Sequence, residues 1–395
     1  MKRIILISVF LLLISNLFCY ANFACIFTLI NPSATDVAFG LDSGTANIWN
    51  TNPLSVWSNP AKLGYHNGFA YGYSHTPWFR DVFPDMYHQS SYISYGWNGI
   101  GILLPAPSAK NHWGTVMSYG EQERTDENGQ VIGTFESWDA DTKFALGMNT
   151  IEFMSNFLKN DFLNKIQYFG EISVGFNYDI IHSQLVPEGT GVIPDSLTAI
   201  ADARSKGIGL IGRISPFNKM NSSGKFYRLD LTVGLYFLNP GKTEIYYINE
   251  TQKDPLPYGT KSAFSGKLSF DMKLIPPLAN DDIISLFCKN IFSVYYSQDN
   301  TQYGEKDETN PSVWGEGLEL TFLDIFSYRK GQYIDREGEI VGNTIGYGFN
   351  LNYKDIIQFQ YNKVKFPGGD LQYKQDKWDI LFRVDFIKLY KMFNL

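Results

Sequence analysis

The chain has 395 residues with 40 acidic and 33 basic side chains, a formal charge of −7, and no basic block, which argues against a nucleic-acid partner. Aromatic residues make up 16% of the total while mean hydropathy is −0.18, and no stretch beyond the N-terminus approaches the roughly 18 to 20 uninterrupted apolar residues of a membrane helix. The three cysteines, one of them Cys19, are too few for a disulfide framework, so Cys25 and Cys288 read as free thiols, Cys288 on an apolar strand face.

Met1, Lys2 and Arg3 precede the apolar run Ile4 to Phe18, the pattern of a secretory signal peptide over residues 1–21. Cys19-Tyr20-Ala21 ends on a small residue, so the expected mature terminus is Asn22, without lipid, because Phe18 is too bulky for a lipobox. An exported chain without a membrane helix is soluble or spans as a barrel. Residues 22–66 do not alternate as wall strands do. Asn31-Pro32-Ser33-Ala34, then Gly40, Asp42, Gly44 and Ala46, then Asn59-Pro60-Ala61-Lys62-Leu63-Gly64 form a run of turn formers and helix starts.

From Asn67 onward apolar and polar residues alternate with period two. The clearest stretch places Tyr168, Ile172, Val174, Phe176, Tyr178 and Ile180 on one face and Glu171, Ser173, Gly175, Asn177 and Asp179 on the other. Its aromatics bracket the roughly 9 to 11 residues that a tilted strand needs to cross a bilayer core. The same alternation recurs at Tyr227 to Phe237, at Phe264 to Leu274, at Ile284 to Tyr296, at Ile345 to Tyr353 and at Trp378 to Phe386. Turning such a strand over would place Arg383 or Lys267 in lipid at about 2 to 4 kcal/mol near the midplane, so the apolar faces must be the outer ones. The fold class is all-β, a transmembrane antiparallel β-barrel over residues 67–395, with about fourteen strands, within the even range of bacterial barrels. Strands are expected to begin near Asn67, His88, Gly99, His112, Trp138, Tyr168, Ala199, Phe226, Gly259, Ile283, Val313, Val341, Asp355 and Lys377. Residues 88–104 read either as a hairpin turning at Asn98-Gly99 or as one long strand. The connections 122–137, 184–198, 239–257 and 298–311 are expected at one end and 150–167 at the other. The latter carries Phe153, Phe157, Leu158 and Phe162 at the spacing of a short amphipathic helix on the rim.

The expected inward face carries both signs of charge: Glu171, Asp179, Arg213, Arg228, Asp230, Lys267, Asp271, Lys273, Glu319, Arg383 and Asp385. A selective pore favours rings of one sign. A mixed lining suits pairing with itself and with a plug, because an unpaired buried charge is costly; a lumen that is merely hydrated is the alternative.

The N-terminal segment resembles that of FadL-type outer-membrane proteins, and more closely the PorV/PorQ-like branch associated with type IX secretion. The match is carried by Pro32-Ser33-Ala34, Gly40, Asp42 and Asn59-Pro60-Ala61-Lys62-Leu63. Asn177-Tyr178 through Ile181-His182-Ser183 and the small-residue run Ala199 to Gly209 also resemble that branch. The Gly-Gly usual after the Pro-Ser-Ala start is replaced by Phe39-Gly40-Leu41, and Ile48-Trp49-Asn50-Thr51-Asn52 has no counterpart. The resemblance implies a hatch over residues 22–66 that fills the barrel.

Catalysis has little support. No His-Glu-x-x-His, Gly-x-Ser-x-Gly or phosphate-cradling loop with Lys occurs. His182-Ser183 would suit an outer-membrane lipid hydrolase, but neighbours along a strand face opposite sides, which forbids their hydrogen bond. Glu121, Glu123, Asp126 and Glu127 lack the spacing of a Ca²⁺ loop and read as a solvated acidic turn; no metal or cofactor is implied. Two non-enzymatic readings follow from the resemblance, both in the outer membrane of a Gram-negative bacterium with its lipid as a partner. One is a PorV/PorQ-like shuttle or scaffold for secreted proteins. The other is a FadL-like transporter for hydrophobic small molecules, with a hatch and a side opening.

Overall fold

Short connections force consecutive strands to run antiparallel, and the alternating segments pair in chain order. In the computed structural model the described residues are 24–40, 43–78, 84–125, 128, 130–159, 161–186, 200–220, 226–247, 252–275, 282–304, 312–335, 340–367 and 374–393. The wall comprises β1 (Gly68–Pro77), β2 (Tyr87–Trp97), β3 (Ile100–Pro105), β4 (Thr115–Thr125), β5 (Val131–Asn149), β6 (Gly170–Gln184), β7 (Ile200–Met220) and β8 (Phe226–Leu238). After a small hairpin, β9 (Glu244–Tyr247) and β10 (Gln252–Pro255), it continues with β11 (Gly259–Asp271), β12 (Asn290–Tyr303), β13 (Ser312–Phe322), β14 (Phe326–Asp335), β15 (Ile340–Tyr353), β16 (Ile357–Pro367) and β17 (Lys374–Val384). β1 pairs with β17, from Phe69↔Val384 to His75↔Trp378, so the sheet closes and leaves no free edge. It contains 15 strands, but β3 and β4 share one place between β2 and β5. A section through the wall therefore crosses fourteen strands, one fewer than the 15 in the sheet.

The closed ladder satisfies the backbone, and the side chains then sort by face. Val233, Phe237, Phe322, Phe326, Tyr347 and Phe382 project outward and are exposed, while Ser173, Asp179, Thr232, Ser297 and Asp379 point inward and are buried. A buried polar face and an exposed apolar one, the reverse of a soluble sandwich, is the arrangement that lipid imposes. No helix among the described residues is long and apolar enough to cross a membrane.

Several sequence expectations shift. The strands expected near Gly99 and His112 are β3 and β4, which begin at Ile100 and Thr115 and together fill a single place in the wall. The hairpin at Asn98-Gly99 is real, with φ of 50° and 80° at the two central residues, the left-handed pair that a type I′ turn requires. One strand, β14, was not anticipated, because Lys330 and Gln332 stand on its outer face and break the alternation of Phe326 and Tyr328. The two errors cancel in the strand count. Helices occupy places read as strand: Tyr168 falls in a helix, 282–287 form another, and Phe386 begins a third. Met272 and Leu274 form a 3₁₀ turn, with Met272 buried rather than lipid-facing. Cys288 lies between helix and strand, buried, not on a strand face. Asp355 is in a turn, and the strand starts at Ile357.

Connections at the end of the barrel where β1 starts and β17 finishes, here the terminal end, carry α2 (Thr150–Leu158), α3 (Asp161–Phe169), α4 (Asp282–Phe287) and α5 (Phe386–Phe393), with α1 (Ala34–Val37) inside the barrel. The expected single helix within 150–167 is thus two, and Phe157 and Phe162 are exposed on them. At the opposite, loop end, much of 122–137 and 239–257 is strand. Residues 1–23, which include the expected signal peptide and its cleavage point, lie outside the described residues.

Candidate functional site

Residues 24–40 and 43–66 lie within the barrel, and nearly all are buried. Their local folds follow from caps. Ser33 Oγ accepts the Asp36 amide and starts α1; Asn52 Oδ1 accepts the Leu54 amide and Asn59 Oδ1 the Ala61 amide, each ahead of a proline that opens a 3₁₀ turn. At the centre Lys62 Nζ lies 3.1 Å from Asp36 Oδ2 and also donates to Ser55 O and Ser58 Oγ. Asn47 and Asn50 donate to the other Asp36 oxygen. Burial pulls the Lys62 ammonium below its ordinary value, and Asp36 opposes that shift. His66, at the end of the segment, is lowered to about 3 by burial, with the nearby Lys62 and Arg383 charges adding to it; it is neutral at pH 7.

The wall holds this segment by its main chain. Asp379 Oδ2 accepts the Ala34 amide at 2.6 Å and Asp299 Oδ2 the Thr45 amide at 2.8 Å. Thr344, Thr232 and Ser173 donate to the carbonyls of Ala38, Ala46 and Ala61, and Lys377 donates to that of Asn31. Asn59 Nδ2 reaches Leu210 O and Leu235 O in β7 and β8. Where the segment runs flat against strands, the wall is glycine: a Cβ on Gly234, Gly317 or Gly331 would come within 2.6 Å of Thr45 O, Phe39 Cα or Ala38 O. Gly40 has φ of 111° and little room, since its Cβ would meet Gln332 O at 2.6 Å. Among the residues named from the sequence, Pro32, Ser33, Ala34, Gly40, Asn59, Pro60, Ala61 and Leu63 are all buried in this contact. Asp42 lies outside the described residues.

The inward charges pair among themselves. Arg213 Nη1 is 2.8 Å from Glu171 and its Nε 3.6 Å from Asp230, which Arg228 also meets at 2.8 Å. Asp179 is 2.8 Å from Lys143, a residue absent from the sequence-derived set, and Glu319 is paired with Arg329 at 2.5 Å. Lys267 lies over the ring of Trp49 at 5.9 Å, and Arg383 lies on the inner face of β17. Asp271 ends β11 and caps a 3₁₀ turn, and Asp385, just past β17, accepts the Lys388 amide of α5 at its Oδ1. His182 and Ser183 are separated by the wall. His182 points outward, with Nδ1 at 2.5 Å from Asp202 Oδ1, and Ser183 is buried on the inner face.

The wall is interrupted at one place that sequence periodicity did not isolate. β3 ends at Pro105 and β4 begins at Thr115. The intervening residues 106–114 form a loop closed at its base by Gly114 N to Ala106 O (2.9 Å) and by two bonds with Ser91 of β2. On the other side pairing with β5 stops at Leu103↔Ala145 and resumes at Thr115↔Asp141. Thr142 to Phe144 are thereby left without a ladder partner there, apart from the bond from Thr142 Oγ1 to Trp113 O. Pro105 and Pro107 supply the local cause, since neither has an N–H to give. The loop folds over the outside: Ala109 packs on Val116, Trp138 and Ala140, and the His112 ring lies 3.9 Å from that of Trp138. From inside, Tyr92 backs the break. Its hydroxyl reaches Thr115 Oγ1 and Asp141 O, and its ring packs with Leu54, Val56, Leu63, Leu103 and Ala145. Toward the loop end the lumen is filled by an apolar cluster of Cys25, Phe27, Met117, Ile181, Ile245 and Leu256.

No family model matches the chain, and no curated protein matches it. Among solved structures, the Ralstonia pickettii toluene transporter TbuX is similar at 11% identity and a TM-score of 0.36, over 84% of this chain and 93% of that one. The CymD monoaromatic hydrocarbon channel is similar at 9% identity and 0.36, over 92% and 98%, and a mutant of the TodX monoaromatic hydrocarbon channel at 9% and 0.38, over 84% and 94%. Those solutes belong to those proteins. The assignment of this chain as a transmembrane β-barrel of outer-membrane type rests on its own strand pairing, closure and inverted faces.

Proposed function

We propose that this protein is a FadL-like outer-membrane barrel that passes hydrophobic small molecules, entering at the loop end and leaving sideways through the wall. The observation that carries this reading is the coincidence in one region of three features: a ladder gap between Leu103–Pro105 and Asp141–Ala145, an apolar cluster in the lumen on its loop-end side, and an outer loop covering it. A molecule with no hydrogen bonds to satisfy can cross such a gap into lipid, whereas an ion cannot. The N-terminal segment acts as the hatch that blocks the direct route to the terminal end. Leu104 and Phe144 flank the gap on its outer face. With cysteines at both positions, oxidation to the disulfide should stop uptake of a radiolabelled long-chain fatty acid by a host lacking its own channel, and reduction should restore it. Uptake that is unchanged in the oxidised form would sink the lateral route.

A second reading, a PorV/PorQ-like shuttle or scaffold for secreted proteins, is favoured by the wall contacts that hold the plug at Asp379, Asp299, Thr344 and Ser173, since a scaffold has no need to open. It predicts copurification of secreted proteins and fatty-acid uptake no greater than that of the channel-less host.

A further inference from the structure

At the terminal end, between the plug and the inner faces of β11 to β16, lies a cavity of about 260 Å³. It is on the opposite side of the barrel from the ladder gap, and its chemistry is different. Three cationic side chains line it, Lys267, Lys289 and Arg329, and three anionic ones, Glu319, Asp324 and Asp355, so the formal charge cancels. They are also committed locally. Arg329 holds Glu319, Lys289 holds Asp355, Asp324 accepts the amides of Lys289 and Asn290, and Lys267 faces the Trp49 ring. A charged ligand recognised at Arg329, Glu319, Lys289 or Asp355 would have to break a pair.

Beyond these charges the lining offers amides and the Trp49 ring that Lys267 already faces. Asn350, Gln358 and Gln360 line the wall, with Asn50 and Trp49 contributed by the plug. Gln358 is 6% exposed, its Nε2 donates to Asn350 Oδ1 at 2.9 Å, and its Oε1 has no hydrogen-bond partner. A buried amide oxygen without a donor is destabilising unless something supplies one. Hydrocarbon would worsen that cost by stripping water from the other amides. A hydroxyl group removes it, because it donates to Oε1 and accepts from a neighbouring amide N–H.

We propose that this cavity binds a small, neutral, hydroxyl-rich solute of about hexose size, with hydroxyls on the Gln358–Gln360 row and a C–H face toward Trp49. Its volume lies just below the roughly 300 to 1,000 Å³ of pockets for drug-sized ligands. The proposal does not depend on the lateral route.

The test is calorimetric titration of the full-length barrel, in a detergent without a sugar headgroup, with methyl α-glucopyranoside, sodium acetate and methylammonium chloride. Saturable binding of the glucoside and none of the two ions is expected. Gln358→Leu and Gln360→Leu should each weaken glucoside binding about tenfold, the effect of losing one hydrogen bond. Heat-modifiable migration on gels shows which variants fold, and if Gln358→Leu does not, Gln360→Leu decides. The oxidised cross-link across the ladder gap should leave glucoside binding unchanged. No saturable glucoside binding, equal binding by the folded variants, or preference for either ion would overturn the proposal.

Discussion

Lys62 and Asp36, 26 positions apart in the chain, form an ion pair at 3.1 Å with both side chains wholly shut off from solvent. The pair joins the α1 end of the plug to the Asn59-Pro60-Ala61 end, so the plug folds as one piece rather than as two anchored strings. Removing one partner of such a pair leaves a buried charge and costs about 3 to 5 kcal/mol. Lys62→Met should therefore loosen the plug and raise single-channel conductance in planar bilayers, while Lys62→Met with Asp36→Leu should recover much of the closed state. Equal conductance for the single and double variants would show that the charge is not what holds the plug.

Plug and wall divide the work. Wall stability comes from a closed ladder to which the plug contributes no strand. Deleting residues 24–58 should open the barrel and keep its heat-modifiable migration, with Asp299 and Asp379 now hydrated instead of bonded to Thr45 and Ala34. A deletion protein that stays closed, or that no longer folds, would contradict this.

Tyr92 is placed to regulate the wall break, because its ring fills the inner side and its hydroxyl ties Thr115 to Asp141. Tyr92→Phe should cost about 1 kcal/mol and Tyr92→Ala about 3 to 5. Fatty-acid uptake should rise in the order wild type, Phe, Ala. If the Ala variant takes up no more than wild type, the break is not the route.

The docking of α2 should depend on pH through Glu152. Burial raises its carboxyl to about 7, the Glu171 charge adds to the shift and Arg213 opposes it. The folded state then binds a proton that the unfolded segment releases at the ordinary carboxylate value. This contribution is complete below that value and is lost as pH rises through about 7. Amide exchange in Thr150–Leu158, corrected for the intrinsic rate, should accelerate in wild type as pH rises from the ordinary carboxylate value to about 7 and level off above it, and Glu152→Gln should remove the pH dependence.

Side-chain facing gives a direct check of register. Spin labels at Leu231, Phe270 and Phe349, on outer faces, should collide with a lipid-soluble quencher, and labels at Asp230, Lys267 and Asn350, on inner faces, should not. Reversed accessibilities would refute the register.

Periodicity by itself determined the barrel and its faces, because a one-residue slip in a strand such as β8 would turn Arg228 and Asp230 into lipid, a cost that leaves one register. It also offered the turn at Asn98-Gly99 as one of two readings and left the N-terminal run without strand alternation, since caps and prolines act locally. Tertiary structure alone decided the rest. Whether 100–125 is two strands or one interrupted strand depends on where β2 and β5 place their partners: Pro105 and Pro107 mark a local break, but only the pairing puts both pieces in one place of the wall. β14 stayed hidden because Lys330 and Gln332 face outward beyond its apolar part. Lys143, Asp299 and Asp379 looked like any inward polar residues until the plug backbone and Asp179 were set against them. Residues that meet across 254 and 345 positions of chain leave no periodic trace, because their partnership arises only when the sheet closes around the plug.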